Sequence, residues 1–408
     1  MSNPSLLCVP YRFKTSKLYS QIPDSGLGDF TVTRATTPTA GQATRVNAAG
    51  LIELVADNVP RLDYPLGGIT AGCPSLLVEP SAQNLLQRSE EFENAYWSKS
   101  LGVVTQNQTI APDGLTTADK YVANNGVATN SPIVRTFTFA INTTYTLSLF
   151  VKKADYDTAS IRLSTAETPI TANFFNLASG TATNNQSQNY GNGWYRVWVS
   201  FTTAATVTNG QVQLIRDAQV RDGVAGIFIW GAQLEVGSVP TSYIPTVASS
   251  VTRGAEVVDR TGISSLMGQT EGTFYLDMSY FAKGSTGATL WLYIIGTPTS
   301  NNIGLGVGVT SVRSIVNGQS DSLSTPSTAN GVKIAWGYDG SGVVCFVNGV
   351  QYNLPNGGNQ IITSMNRCVI DMSSAGGTRM ADVRIRAIEL YPTRLPNTGP
   401  NSLQSLTQ

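Results

Sequence analysis

Residues 223–246, GVAGIFIWGAQLEVGSVPTSYIPT, limit the fold more than any other stretch of this chain. Residues 227–236 read as one strand, with Phe228 and Trp230 on one side and Ile227 and Ile229 on the other. A strand apolar on both faces has to be covered on both, so it belongs in the middle of a sheet. Pro240 and Pro245 end it, because proline has no N–H to give to a ladder. Far upstream, residues 84–98 (NLLQRSEEFENAYWS) read as the opening of the same module, with only strand-like runs and turns in between.

Those runs alternate with period two. YTLSLFVKK (145–153) places Tyr145, Leu147, Leu149 and Val151 on one face. WYRVWVSFTT (194–203) sets Tyr195, Val197, Val199 and Phe201 against Trp194, Arg196, Trp198 and Ser200, and the first set is the expected core. ASIRLST (159–165), ANFFNL (172–177) and QVQLIRDA (211–218) complete a sandwich or jelly roll over residues 76–250. Ser89, followed by Glu90 and Glu91, is placed to cap one short helix.

Upstream, residues 1–75 hold only short strands broken by Pro23, Pro38, Pro60 and Pro65. Such strands make little core alone. They are expected to form an arm that packs on a neighbouring domain or on another protein, the alternative being a small independent β-domain. Residues 251–270 read as a linker with one short helix near Ile263–Met267. A second sandwich follows over 271–393, with TFYLDMSYF (273–281), TLWLYIIG (289–296), VKIAWGYD (332–339) and ADVRIRAIELYPT (381–393) among its strands. Asp339-Gly340 and Asn348-Gly349 read as hairpin turns. Residues 394–408 read as a polar tail that ends in a frayed turn of helix. The expected fold is all-β, an N-terminal β arm followed by two antiparallel β-sandwich (jelly-roll) domains.

Composition removes several kinds of chemistry. There is no histidine, which excludes Ser-His-Asp and Cys-His nucleophilic sites and His-ligated zinc. Charged residues are 13% of the chain against a usual share of about 25%, and 26 basic residues balance 26 acidic ones. No electrostatic case exists for nucleic acid or an anionic membrane. Near-neutrality suits a subunit held in an assembly. Cys8, Cys73, Cys345 and Cys368 are spaced too widely for C-x-x-C chemistry, and read as buried free thiols of a protein assembled in a reducing cytosol. The N-terminal run is not a secretory signal, and no run is long enough to span a membrane.

ATRVNAAGLIELVADNVPRLDYP, CPSLLVEPSAQNLLQRSEEFENAYWSK, APDGLTTADKYV, NGWYRVWVSFT and GIFIWGAQLEVGSVPTSYIPT occur in that order over residues 43–250. The succession resembles structural appendage proteins of tailed bacteriophages, fibre or collar-type subunits with a carbohydrate-binding-module-like jelly roll. Residues 270–392, ending ADVRIRAIELYPTRL, look like a concanavalin-A-like lectin or glucanase sandwich. The resemblance implies a virion protein, closed as a homotrimer, docked on capsid or tail proteins through the N-terminal arm and facing host surface glycans. It also raises a structural Ca²⁺ held by a Glu near the first strand and an Asp on the last. Glu93 matches the first ligand, but Gly231-Ala232-Gln233-Leu234-Glu235 stands where the Asp belongs, and calcium needs six to eight oxygens, so no cofactor or metal is assigned.

Sugar sites stack aromatic rings on pyranose faces beside amide and hydroxyl partners. Trp194 and Trp198, on the more polar face of their strand, and Tyr96 and Trp97, beside the start of the module, are the candidate carbohydrate-binding residues. Inter-sheet or inter-subunit packing is the competing fate of Trp194 and Trp198, and core burial that of Tyr96 and Trp97. Trp230 reads as core. Glycosidic hydrolysis needs two converging carboxylates. Glu90, Glu91 and Glu93 cluster and Asp217 and Asp222 flank a loop, but as solvated or helix-end charge, so no enzyme is expected. A tail-spike-type glycan depolymerase is the alternative. Arg12, Lys14 and Lys17 form a small basic cluster that reads as docking surface or solvated charge.

Overall fold

A computed structural model describes residues 3–37, 42–66, 72–99, 101–126, 132–165, 171–206, 209–216, 220–280, 290–296, 302–307, 311–324, 331–371 and 383–408. Asp217, Ala218, Phe281, Thr289, Ala381 and Asp382, at the ends of expected strands, lie outside these. The described residues are overwhelmingly strands, with two 3₁₀ turns and one short helix, so the chain is all-β as expected.

The first sandwich stacks two antiparallel sheets. One has six strands in the order Gly102–Thr109, Ala118–Ala123, Gly226–Val236, Thr144–Lys153, Trp194–Thr202, Ser187–Gly191. The other has five, in the order Ile133–Thr138, Asn209–Arg216, Thr158–Thr165, Thr171–Asn176, Thr181–Ala182. Gly226–Val236 pairs on both sides, which makes it central. Ile227, Ile229, Ala232 and Leu234 face the core between the sheets, while Trp230 and Phe228 pack on the outside of their own sheet. The side switch happens at Gly231, where the register against Thr144–Lys153 shifts and φ is 63°. A Cβ there would come within 2.9 Å of the Phe150 ring, so both the left-handed backbone and the crowding call for glycine.

The second sandwich is built from both ends of the chain. Its first sheet runs Val350–Tyr352, Gly342–Val347, Val332–Asp339, Gly272–Tyr280, Val383–Tyr391, Ser75–Val78, Arg61–Asp63. Leu6–Cys8 also pairs with Val383–Tyr391, with Leu6 opposite Leu390 and Cys8 opposite Ile388. Its second sheet runs Phe13–Lys14, Lys17–Leu18, Phe30–Thr33, Val257–Thr261, Met365–Asp371, Leu290–Gly296, Asn302–Val307, Ser311–Val316, Gln319–Ser324. Leu6, Cys8, Leu18, Phe30, Val32, Leu62, Leu76 and Val78 all sit in its core.

Five expectations change here, in whole or in part. The first 75 residues do pack on another domain as expected, but not as a separate arm: several of their strands, two to four residues long, bury their apolar faces by joining the sheets of the distant sandwich. The linker carries two strands of its own, Val251–Arg253 and Val257–Thr261, both ahead of the expected helical turn at Ser264–Leu266. The tail is not frayed. Leu395 and Leu403 are buried against Tyr275, Ala335, Phe346 and Tyr391, and Ser402 caps the helix Leu403–Thr407 reciprocally with Ser405. Ser89 caps no helix; its hydroxyl accepts the Thr246 N–H at 2.8 Å and lies 2.8 Å from the Tyr243 hydroxyl, clamping the two ends of the first sandwich together. Of the cysteines, Cys8, Cys345 and Cys368 are buried free thiols as expected, whereas Cys73 is exposed.

The two sandwiches meet around a buried group of charges. Arg61 donates from Nε to Glu256 at 2.8 Å, from one terminal nitrogen to Glu79 at 2.8 Å, and from the other to Thr44 O at 3.0 Å and Ser242 Oγ at 2.7 Å. Glu79 also accepts the Ser242 N–H at 2.8 Å. Arg34 joins at Glu256 and donates to the backbone at Ala56 and Val59, and Arg253 lies against both carboxylates. Burial works against the charge on Arg61, but the two carboxylates override it and raise its pKa. Burial and the neighbouring Arg61 pull Arg34 down to about 10. Arg61 thereby ties the first sandwich's exit (Ser242), the hairpin Ala43–Val46 with Ile52–Val55, and the second sandwich's edge (Glu79) into one joint. Removing one partner of such a group strands the other in low dielectric, at a cost of about 3–5 kcal/mol. Arg61→Met is therefore expected to lower the unfolding free energy by about that amount, read from the midpoint of urea denaturation at unchanged slope.

Candidate functional site

The outer face of the six-stranded sheet is where alternation sends Trp194, Arg196, Trp198, Phe150, Trp230 and Glu235. On an isolated jelly roll this face would be open. Here the chain folds back over it. Ile52 from the hairpin, Ala111 from the loop before Ala118–Ala123, and Tyr243 from the exit segment close on Phe150, Trp194 and Trp230 as one apolar cluster. The loop is pinned by its polar groups: Trp194 Nε1 donates to Ile110 O at 3.0 Å, Trp230 Nε1 to Thr117 Oγ1 at 3.1 Å, and Ile52 N to Pro112 O at 2.9 Å. Next to the aromatics, Glu235 accepts from Thr241 N at 2.9 Å, Thr241 Oγ1 at 2.8 Å and Gln233 Nε2 at 2.7 Å. Arg196 donates to Thr241 O at 2.6 Å and stacks over Phe150 at 5.3 Å. Between this face and the second sandwich remains a cavity of about 20 Å³, lined by Asp63, Arg196, Tyr190 and Arg384 among others, which has room for a water and not for a sugar.

The four predicted stacking residues are spent on packing. Trp194 is 2% exposed and Trp198 8%. Trp97 is 1% exposed, its Nε1 donating to Arg88 O at 3.0 Å and its ring 5.5 Å from Phe92 in the inter-sheet core. Tyr96 is half-buried, edge-on to Trp97, and the Arg135 guanidinium covers its face at 4.1 Å. None of them offers a free ring face. Trp230 is core as expected, in the outer cluster.

The acidic residues do gather, in part. Glu90 accepts a hydrogen bond from the Tyr243 hydroxyl at 2.9 Å, and Asp119 accepts from Phe92 N and Asn107 N, both at 3.1 Å. Burial pushes Glu90 up to about 7 against the pull of the Tyr243 bond, with Asp113, Glu91 and Asp119 adding repulsion. Burial likewise pushes Asp119 up to about 7, with Glu93 beside it. Glu91 pairs with Arg88, Asp222 accepts from Val224 and Ala225 N–H in its own loop, and Asp217 lies outside the described residues. Glu93 sits by Asp119, whereas Glu235 is bound up with Thr241 and Gln233, so the Glu93 and last-strand positions of the calcium pattern have different partners. Among the described residues no three His, Cys, Asp or Glu side chains converge as a metal site.

What stays accessible on the first sandwich is the opposite surface, the outside of the five-stranded sheet. Phe174 there is 49% exposed, while its chain neighbour Phe175 is in the core. Sequence reasoning passed over Phe174, although two adjacent phenylalanines in one strand force one of them outward. A shallow groove of about 460 Å³ runs beside it, lined by Thr158, Asn176, Thr181 and Thr183 as well as the two phenylalanines.

No family model matches the sequence, and no curated protein matches it. Among solved structures the chain is similar to the CBM22-1–CBM22-2 tandem domain from Paenibacillus barcinonensis Xyn10C, at 10% identity and a TM-score of 0.26 over 76% of this chain and 97% of that one. It is similar also to domains LG4-5 of the mouse laminin alpha1 chain, at 13% identity and a TM-score of 0.22 over 68% and 93%. A third is Trypanosoma rangeli sialidase in complex with sialic acid, at 10% identity and a TM-score of 0.27 over 90% and 75%. At these TM-scores the likenesses bring neither a fold assignment nor an activity to this chain. The expectation that the chain is no enzyme is not carried further: a sialidase is among the structures it resembles, at a TM-score that assigns this chain neither an activity nor the lack of one.

Two outcomes follow from this geometry. Trp194→Ala should cost about 3–5 kcal/mol of stability, the range for emptying a large aromatic from a packed site, as measured by thermal and urea unfolding. Glu90 and Asp119 bind their protons more tightly folded than unfolded, so the stability they contribute is complete below about pH 4 and is lost as the pH rises through about 7. Stability should fall between pH 5 and 8, and Glu90→Gln with Asp119→Asn should flatten that slope.

Proposed function

We propose that this chain is a structural subunit of a tailed-phage particle, a fibre or appendage component that projects from the virion and contacts host surface glycans. One observation carries the reading. The sequence blocks that resemble phage appendage proteins supply Arg61 and Glu79 with Ser242 to the joint, where Arg34, Arg253 and Glu256 join them from outside those blocks, and supply Ser89 with Tyr243, Trp97, Arg196 and Glu235 to the buried bonds of the first sandwich. A resemblance concentrated in buried, mutually bonded residues speaks for a shared architecture rather than shared surface composition. The low charge of the chain supports it as well, since hydroxyl and amide surfaces suit tightly packed exterior β-proteins. Docking on capsid or tail then falls to a surface of the second sandwich, where the N-terminal strands pack, and the subunit closes as a homotrimer.

The test is direct. Light scattering of the purified chain should give three times its 43.4 kDa. Gold-labelled antibody against it should mark purified phage particles at a symmetric, repeated position. A monomer that is absent from the particles would overturn the reading.

A further inference from the structure

We propose that the groove beside Phe174, on the outside of the five-stranded sheet, binds an uncharged pyranose unit of a glycan. The inference rests on the glycan-contact reading above and gives it a location and a chemistry. Phe174 lies in Thr171–Asn176, paired on one side with Thr158–Thr165 and on the other with Thr181–Ala182. Its backbone N–H donates to Thr183 Oγ1 at 3.1 Å, which holds that threonine beside the ring. Asn176, two residues along the same face, spends its side-chain oxygen on the N–H groups of Ala178 and Ser179 at 2.9 and 3.2 Å. Its NH₂ is left as a donor. Ser179 and Thr181 hold each other's hydroxyls at 2.7 Å, so the far wall of the groove is set before any ligand arrives.

The lining selects its occupant. Among the described residues it consists of phenylalanine, alanine, threonine and asparagine, with no charged side chain. Arg162 stands opposite Ala172 in the neighbouring strand and is not part of the groove. A carboxylate or phosphate would lose its hydration here without gaining a cation. A neutral pyranose would lay its C–H face on the ring and bring hydroxyls to Asn176, Thr158 and Thr183, the pattern of an apolar platform with a few placed polar groups. The volume of about 460 Å³ lies within the range of small-ligand sites. One ring bordered by hydroxyls and amides is a narrow patch for a subunit contact, whose core is contiguous and apolar.

The experiment uses the full chain in isothermal titration calorimetry. The probes are neutral oligosaccharides of glucose, galactose and mannose, with oligomers of sialic acid as anionic counterparts. The parent should bind at least one neutral probe. Phe174→Ala should weaken that binding at least tenfold at unchanged melting temperature, and Phe174→Trp should retain it. If Phe174→Ala binds as the parent does, the site is wrong and glycan contact through another surface survives. If only the anionic probes bind and Phe174→Ala weakens them, the assigned chemistry is wrong. If Phe174→Ala lowers the assembly mass in solution, the face is a contact between copies and the proposal fails. If the parent binds none of the probes, nor any glycan on a broad array, the inference falls together with the glycan-contact reading.

Discussion

Arg61 cannot sit where it does unless four separate stretches of chain arrive with their acceptors in place. Its guanidinium is fully buried, and a buried cation whose donors lack partners is more costly than most single defects a fold can carry. Glu79, Glu256, Thr44 and Ser242 meet that demand from the second sandwich, the connecting segment, the N-terminal hairpin and the exit of the first sandwich. Such a joint adds little net stability compared with an apolar one of the same volume. Its effect lies in direction: an apolar seam tolerates sliding, whereas these hydrogen bonds fix how the parts meet.

The same joint explains why the most aromatic face of the first sandwich is closed. Ser242 is held by Glu79 and Arg61, and Tyr243, the next residue, is thereby drawn onto Phe150 and Trp230. Thr44, held by Arg61 through its carbonyl, belongs to the hairpin that brings Ile52 to the same cluster. The face that would be free on a solitary jelly roll is thereby covered by the chain's own hairpin, loop and exit segment.

Alternation along residues 145–153 and 194–203 gave the strands and their core side correctly, because a period of two is a local property. The central position of the strand Gly226–Val236 was equally legible from its two apolar faces. What covers an outer face is not local. Trp194 and Trp198 look alike to a sugar or to a neighbouring loop, and the covering residues Ile52, Ala111 and Tyr243 come from three distant places. Arg61 and Glu256 are 195 positions apart, so no motif could announce their pairing. The N-terminal strands were seen as strands, but their partners lie at the opposite end of the chain, beyond the reach of any spacing rule.

That last pairing has a bearing on how the molecule comes off the ribosome. Ser5 and Leu390, joined through the Ser5 N–H, are separated by 385 positions. At ordinary elongation rates the first strand waits roughly 20 to 80 s for its partner. All strands of the first sandwich have emerged long before then, so it forms while Leu6, Leu76 and Val78 are still without the sheet that will bury them. Through that interval the nascent polypeptide carries open, greasy β-edges, and its yield in any cell depends on whether something shields them until the final strand is made.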